Sequence, residues 1–180
     1  DNDISGNPVD EYEVRSSGGN NYYYVNASND GALFSIYNAT NKSEMKDYAY
    51  TGRMKIMSSS NTDYGNGLVF YAEDYSAGYI IYHQNDSGIG GYYLDDLGSY
   101  DFGGNRISGV APTIGEWYNF TIRVQTFTDG LSIKARFWNQ SETEPSNWQI
   151  EANNGVGGDY KGNGTIGLWA QNAEAAFDDL

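Results

Sequence analysis

The chain has 180 residues, with 24 acidic and ten basic side chains, and its net charge of −14 makes nucleic acid and anionic membranes unexpected partners. It contains no cysteine, which excludes disulfides, thiolate catalysis and zinc–thiolate sites. No apolar run approaches the roughly 20 residues that span a bilayer, so membrane insertion is not expected. Abundant aromatic side chains and 23 glycines favour β-structure over helices.

The first half of the chain predicts short strands separated by polar loops. Residues 1–20 predict a flexible N-terminal segment that holds one weak strand, near residues 9–14. Two further strands flank a turn at Asn29-Asp30-Gly31. Alternation of apolar and polar residues, bounded by turn residues, predicts these strands and those that follow. The predicted strands are 22–25, 32–37, 47–57, 68–72, 79–83, 89–94 and 106–110.

A hairpin over residues 115–138 is the strongest local pattern. Two runs with a period of two residues surround the turn Thr128-Asp129-Gly130, which is typical of a β-hairpin. One face of the hairpin is apolar and therefore needs a second apolar layer. That face carries Tyr118, Phe120, Ile122, Val124, Leu131, Ile133, Ala135 and Phe137.

Three further strands, at residues 148–152, 165–170 and 175–180, end the chain. About a dozen short strands with no amphipathic helix predict an all-β fold, an antiparallel two-sheet jelly-roll sandwich. No repeat and no linker divides the sequence, so residues 21–180 are predicted to form a single jelly-roll domain.

Glycosylation sequons are more frequent than composition predicts. The chain has 19 asparagines and 25 serines or threonines, for which chance predicts about 2.6 Asn-X-Ser/Thr triplets. It has seven, at Asn26, Asn38, Asn41, Asn85, Asn119, Asn139 and Asn163. This density indicates covalent N-linked glycans and an extracellular or cell-surface location, although a polar, asparagine-rich surface is the alternative.

Five blocks in the second half of the chain occur together in a fixed order. They are Gly-Glu-Trp-Tyr at 115–118, Ile-Lys-Ala-Arg-Phe-Trp at 133–138, Glu-Pro-x-x-Trp at 144–148, Gly-Thr-Ile-Gly-Leu at 164–168 and Phe-Asp-Asp at 177–179. As a set, over roughly residues 45–180, they resemble the laminin-G-like, concanavalin-A-like jelly-roll domains of microbial extracellular proteins. The resemblance implies glycan binding, adhesion or a structural role in a surface assembly. Some members carry a structural calcium ion, for which Asp178 and Asp179 match the acidic pair; solvated acids are the alternative.

The ends of the chain depart from that family pattern. The sequence stops at Leu180, inside the last predicted strand, which predicts a short ladder with open backbone groups. A loose strand such as Pro8–Val14 of a neighbouring subunit would fill this gap by strand addition. Pairing of the two termini within one chain is the alternative.

Catalytic patterns are weak, so no enzymatic activity is expected. His83 is the only histidine and is more typical of a surface or core residue than of a catalytic base. The nearest pair of carboxylates at alternate strand positions is Glu11 and Glu13, in the N-terminal segment. A second acidic cluster, Asp95 and Asp96 with Asp101, is more typical of a solvated surface.

Two functions follow as hypotheses. The main one is an N-glycosylated extracellular structural subunit that self-associates into a homopolymer, a surface fibre or coat. The alternative is a carbohydrate-binding or adhesion module for polysaccharide, with or without calcium. Its stacking residues would be Trp117, Trp138 and Trp148, unless these side chains pack under loops.

Overall fold

A computed structural model describes residues 2–3, 12–28, 31–74, 76–85, 90–97, 103–154 and 161–180. The regular secondary structure of these residues is almost entirely β, and Lys42–Glu44 form a short 3-10 helix. No helix among them has the length and apolar character needed to cross a membrane. The strands are β1 (Asn2–Asp3), β2 (Tyr12–Ser17), β3 (Asn20–Asn26), β4 (Ala32–Ile36), β5 (Ala49–Ser58), β6 (Gly65–Asp74), β7 (Ala77–Gln84), β8 (Tyr93–Asp96), β9 (Gly103–Asn105), β10 (Tyr118–Phe127), β11 (Gly130–Asn139), β12 (Ile150–Asn154), β13 (Thr165–Gln171) and β14 (Glu174–Asp178).

The strands form two antiparallel sheets. Sheet A has six strands in the order β1-β4-β13-β6-β7-β8, and sheet B has eight in the order β2-β3-β14-β5-β10-β11-β12-β9. Each sheet buries one face against the other, because alternate residues of the central strands are apolar. The predicted fold class, an all-β antiparallel two-sheet jelly-roll sandwich, is confirmed.

The predicted central hairpin is strands β10 and β11. Ten residue pairs join them, from Tyr118 opposite Asn139 to Phe127 opposite Gly130. The alternating apolar row points inward and is fully buried, as the sequence predicted. Aromatic rings then link the sheets: Phe137 stacks on Tyr92 with ring centroids 4.2 Å apart. The hairpin therefore forms the centre of sheet B and one wall of the core.

Sheet A has a second, smaller apolar cluster on its outer face. Trp169 lies between Phe34 on β4 and Gly67 on β6, and Tyr82 follows Gly67 on β7. The rings of Trp169 and Tyr82 meet at 5.4 Å, above the glycine. The buried members of this cluster are Ile36, Val69, Ala72, Ile80 and Trp169.

The last strand does not lie where the sequence suggested. β14 is an inner strand of sheet B, paired with β3 on one side and β5 on the other. The predicted open groove beside the final strand is therefore wrong, because both edges of β14 already have partners in the same chain. The strand found in the N-terminal segment near the predicted one is β2, which occupies Tyr12–Ser17 and pairs with β3. Residues 4–11, which include Glu11 and most of the proposed exchanged strand, lie outside the described residues.

One other predicted strand is also displaced. Residues 106–110 form only an isolated bridge, between Ile107 and Tyr93, and the strand of this region is β9 at Gly103–Asn105. Gly109 has a φ of +73°, which interrupts an extended backbone.

Candidate functional site

The outer face of sheet B combines basic and aromatic side chains. On β11 the odd-numbered residues point into the core, whereas on β5 and β10 the even-numbered residues do. The residues between them therefore point to solvent. We call this surface the outer B face. Its members used below are Arg15, Tyr22, Arg53, Lys55, Trp117, Asn119, Arg123, Lys134, Arg136 and Trp138.

Trp117 lies at the centre of one half of the outer B face. The Lys55 Nζ atom lies 4.8 Å from its ring centroid, and the Arg53 guanidinium carbon lies 5.0 Å away. Tyr22 meets the same ring edge-on at 6.4 Å. Such cation–π contacts are each worth about 0.5–1 kcal/mol at exposed sites and hold the indole in place. The half-buried ring is therefore pre-positioned, with part of its surface open to solvent.

Two hollows meet at Trp117. A groove of about 300 Å³ has, besides Trp117, walls formed by Ser17, Asn20, Tyr22, Arg53, Lys55 and Met57. A wider hollow of about 470 Å³ lies on the other side of the indole and is lined by Glu116, Asn139, Gln140 and Ser141. One hollow has hydroxyl, amide and cationic groups, and the other has carboxylate, amide and hydroxyl groups. A ligand can therefore stack its apolar surface on the ring while these side chains hydrogen bond its polar groups.

The other two candidate tryptophans lie in different surroundings. Trp138 is half-buried on the outer B face, opposite Asn119. Trp148 follows the loop after β11, and the Arg136 guanidinium lies 4.3 Å from its ring centroid. Arg136 also donates to the Pro145 carbonyl at 2.7 Å and forms an ion pair with Glu144 at 2.9 Å. The Trp148 ring is thus part of a folded loop, whereas Trp117 lines two hollows.

The acidic pair at the end of β14 is bound to an arginine. Asp178, only 7% exposed, accepts hydrogen bonds from Arg53 Nη2 at 2.5 Å and from the Asn20 side-chain amide. Asp179 forms a second ion pair with Arg53 at 3.1 Å. Burial acts to raise the pKa of Asp178, but these hydrogen bonds, that from the Asp179 backbone N–H and the charge of Arg53 together lower it.

This pair does not fit a calcium ion. The Arg53 guanidinium already pairs with both carboxylates, whereas calcium needs six to eight oxygen ligands. Within the part of the chain that the structure describes, no group of three or more aspartate, glutamate or histidine side chains is placed to hold a metal. Asp95 and Asp96 lie on β8, and Asp101 falls outside the described residues.

Residues considered for catalysis do not converge. His83 is buried, with its Nδ1 atom 3.3 Å from the Gly91 carbonyl oxygen, and burial lowers its pKa. Glu13 forms an ion pair with Arg15 on the opposite sheet from His83. Glu73 pairs with Lys161. These groups are spread over both sheets, so the described residues show no acid–base pair.

All seven sequon asparagines lie outside the core. Asn38, Asn41 and Asn85 are exposed, and the other four are half-buried. The side-chain nitrogen, which a glycan would join, donates to protein oxygens in Asn85, Asn139 and Asn163. Asn119 lies on the outer B face between Arg53 and Trp138. Glycosylation of these residues stays a prediction.

Sequence reasoning missed Tyr22, Arg53 and Lys55 as neighbours of Trp117. The alternation of residues 47–57 placed Arg53 and Lys55 on the solvent-facing side of a strand, and this was the only sequence pattern that pointed to them as surface residues of the site. Their approach to Trp117 depends on the pairing of β5 with β10, two strands separated by 59 residues of chain.

The fold is similar to that of a solved structure, carbohydrate-binding module CBM66 from Bacillus subtilis. The two chains are 14% identical, with a TM-score of 0.56 over 93% of this chain and 92% of that one. No protein-family model matches the sequence, and no curated protein matches it. Membership of the laminin-G-like family therefore stays a prediction, while the likeness shows a β-sandwich of the kind that this carbohydrate-binding module has.

Proposed function

We propose that this protein binds carbohydrate, without catalysing a reaction on it, through the outer B face around Trp117. One observation carries the proposal: a solvent-accessible indole, held by Tyr22, Arg53 and Lys55, forms the ridge between two polar hollows. The structural similarity to a protein named as a carbohydrate-binding module supports it at the level of the fold.

The chemistry of the surface suits a sugar ring. The C–H side of a pyranose or furanose is apolar and stacks on an aromatic face, while its hydroxyls need donors and acceptors at the rim. Asn20 and Ser17 line one hollow, and Glu116 and Gln140 line the other. Trp138, farther along the same face, extends the aromatic surface toward a longer chain of sugars.

Titration with immobilised and soluble polysaccharides tests the proposal. The protein should come from a host without N-glycosylation, so that Asn119 carries no glycan. We expect Trp117→Ala to weaken binding of any retained polysaccharide about tenfold, the size of about 1.4 kcal/mol of lost contact. Tyr37→Ala, which removes an exposed aromatic side chain that does not line either hollow, should leave binding unchanged.

Two outcomes would overturn the proposal. Retention of no glycan on a broad array would remove the function itself. Loss of binding in Tyr37→Ala but not in Trp117→Ala would move the site to the apolar hollow between the sheets, which Tyr37, Tyr50 and Leu180 line.

An extracellular, N-glycosylated setting is part of the same proposal and rests on sequon density. N-glycosylation would interfere with sugar binding at one sequon, because a glycan on Asn119 would cover the surface beside Trp138. Glycopeptide mass spectrometry of protein from its natural source should find glycan on several sequons and leave Asn119 free. Seven unmodified sequons would contradict the glycoprotein proposal, and full occupancy of Asn119 would contradict the binding surface.

A further inference from the structure

We infer that the polysaccharide bound on the outer B face is acidic, with carboxylates spaced along the chain as in a polyuronate. This inference rests on the proposed function and specifies the ligand class of the same surface. It comes from the way in which a strongly acidic protein distributes its few basic side chains.

Basic residues are concentrated on one surface. Six of the ten lysine and arginine side chains of the sequence lie at outward strand positions of sheet B: Arg15, Arg53, Lys55, Arg123, Lys134 and Arg136. Four acidic side chains share those strand positions: Glu13, Glu151, Glu174 and Asp178. At these strand positions bases outnumber acids by six to four, whereas the whole chain has ten bases and 24 acids.

Two of these six cations lack an acidic partner among the described residues. Arg15, Arg53, Lys134 and Arg136 each form an ion pair with a glutamate or aspartate of the same face or its rim. Lys55 instead contacts the Trp117 ring, and Arg123 is exposed. An anionic ligand would therefore find two positive charges that form no ion pair with a carboxylate of the described residues.

Arg123 also lies directly opposite another cation. It pairs in register with Lys134 on β11, and like charges at opposite cross-strand positions destabilise a sheet. Glu151 offsets part of this repulsion through its 2.9 Å contact with Lys134. A bound carboxylate near Arg123 would relieve the remainder, so the arrangement favours an anion at this position.

The spacing of the two cations fits a chain and not a single small anion. Lys55 contacts Trp117, and Arg123 lies six residues along β10 from Trp117, which is about 20 Å in an extended strand. Asn119, Thr121 and Trp138 lie between these points on the same face. A polysaccharide laid along β10 would meet a stacking ring, hydrogen-bonding groups and a cation at each end.

A polyuronate is favoured over a nucleic acid because the proposed function is sugar binding. The net charge of −14 opposes any polyanion at low ionic strength, so it does not distinguish the two ligands. A uronate polymer carries one carboxylate per sugar and offers apolar ring faces for Trp117. Single-stranded DNA is therefore the competing polyanion to include in the test.

The test compares acidic polymers with their neutral counterparts. Polygalacturonate, alginate and hyaluronate are each titrated beside the same polymer after chemical reduction of its carboxyl groups, at 50 and 300 mM NaCl. We expect at least one acidic polymer to bind about tenfold more tightly than its reduced form, and the higher salt to weaken that binding. Single-stranded DNA should bind more weakly than that polymer.

Matched charge variants locate the effect. Arg123→Gln should weaken binding of the acidic polymer about threefold, with little change for the reduced polymer. Lys55→Gln, whose side chain also contacts Trp117, should weaken binding of the acidic polymer about threefold more than binding of the reduced one. Lys46→Gln, which removes an exposed charge in the loop before β5, should have no effect. Circular dichroism and melting of all three variants should show that each is folded.

The outcomes separate this inference from the function on which it rests. Equal, Trp117-dependent binding of acidic and reduced polymers would overturn the inference and leave sugar binding in place. Tighter binding of DNA, or equal losses in Lys46→Gln and Lys55→Gln, would also overturn it, because the face would then be a general polyanion surface. Binding of no polysaccharide would overturn both.

Discussion

Side chains alternate between the core and the outer face in both sheets, but the outer face of sheet A is apolar and packed, whereas that of sheet B is polar and more open. On sheet A, Trp169 is 5% exposed and lies in a row of aliphatic and aromatic side chains. On sheet B, Trp117 is half-buried and its neighbours are Arg53 and Lys55. Both tryptophans point away from the main core, yet one is covered by its neighbours and the other borders open hollows.

Small residues explain much of this difference. On sheet A, Gly67 lies between Trp169 and Tyr82, so the two rings approach across it and shield the surface below. On sheet B, the row through Arg53 and Asn119 has polar side chains, and the Trp117 ring is contacted by the cationic groups of Arg53 and Lys55. An outward-facing tryptophan is therefore a packing residue or a candidate ligand contact according to the residues on the adjacent strands.

Removing each tryptophan should give the largest contrast between the faces. Trp169→Ala should lower the free energy of unfolding by about 3–5 kcal/mol, the usual cost of deleting a buried large side chain. Trp117→Ala should cost about 1 kcal/mol or less, because its ring is partly solvated. Urea denaturation followed by far-UV circular dichroism measures both. Similar losses in the two variants would show that the faces do not differ as described, and Trp169→Phe provides a milder variant if Trp169→Ala does not fold.

Filling the gap at Gly67 should have a smaller effect on sheet A. A Cβ atom there would lie 2.7 Å from the Tyr82 Cβ and 2.7 Å from the Ile81 carbonyl oxygen. Gly67→Ala should therefore cost about 1–3 kcal/mol through overpacking. Thr121→Ala, on the outer B face, is the matched control and should change stability by about 0.5 kcal/mol. An unchanged melting temperature for Gly67→Ala would mean that the rings do not depend on this close approach.

The ion pair between Arg53 and Asp178 on the outer B face should give the smallest effect, seen as a change in how stability depends on pH. Because folding lowers the pKa of Asp178, its ionised carboxylate stabilises the folded state above the unfolded pKa of about 3.9. This stabilisation is lost as the pH falls through the folded-state pKa. Wild type should therefore lose about 1–2 kcal/mol more than Asp178→Asn between pH 6 and pH 2.5. Parallel acid-dependence curves for the two proteins would assign no stabilising role to the Arg53–Asp178 pair.

Prediction from sequence succeeded where a pattern was local. The hairpin 118–139 and its inward row were predicted because alternation and an Asp-Gly turn are properties of neighbouring residues. The site was predicted only in part: Trp117 and Trp138 were placed on a solvent-facing surface, but Arg53 and Lys55 were not connected with them. The open edge at the C-terminus was wrong, because no local signal indicated that β14 inserts between β3 and β5.

The sequence by itself therefore determined most of the strands, the inward and outward side of the clearest ones, and the two-layer class of the fold. Only the tertiary structure decided that residues 174–178, 49–58 and 118–127 lie side by side, so that Arg53 meets both Asp178 and Trp117. The physical reason is that side-chain alternation follows from backbone geometry within one strand. The order of strands follows from burying the apolar faces of all of them at once, which depends on residues far apart in the chain.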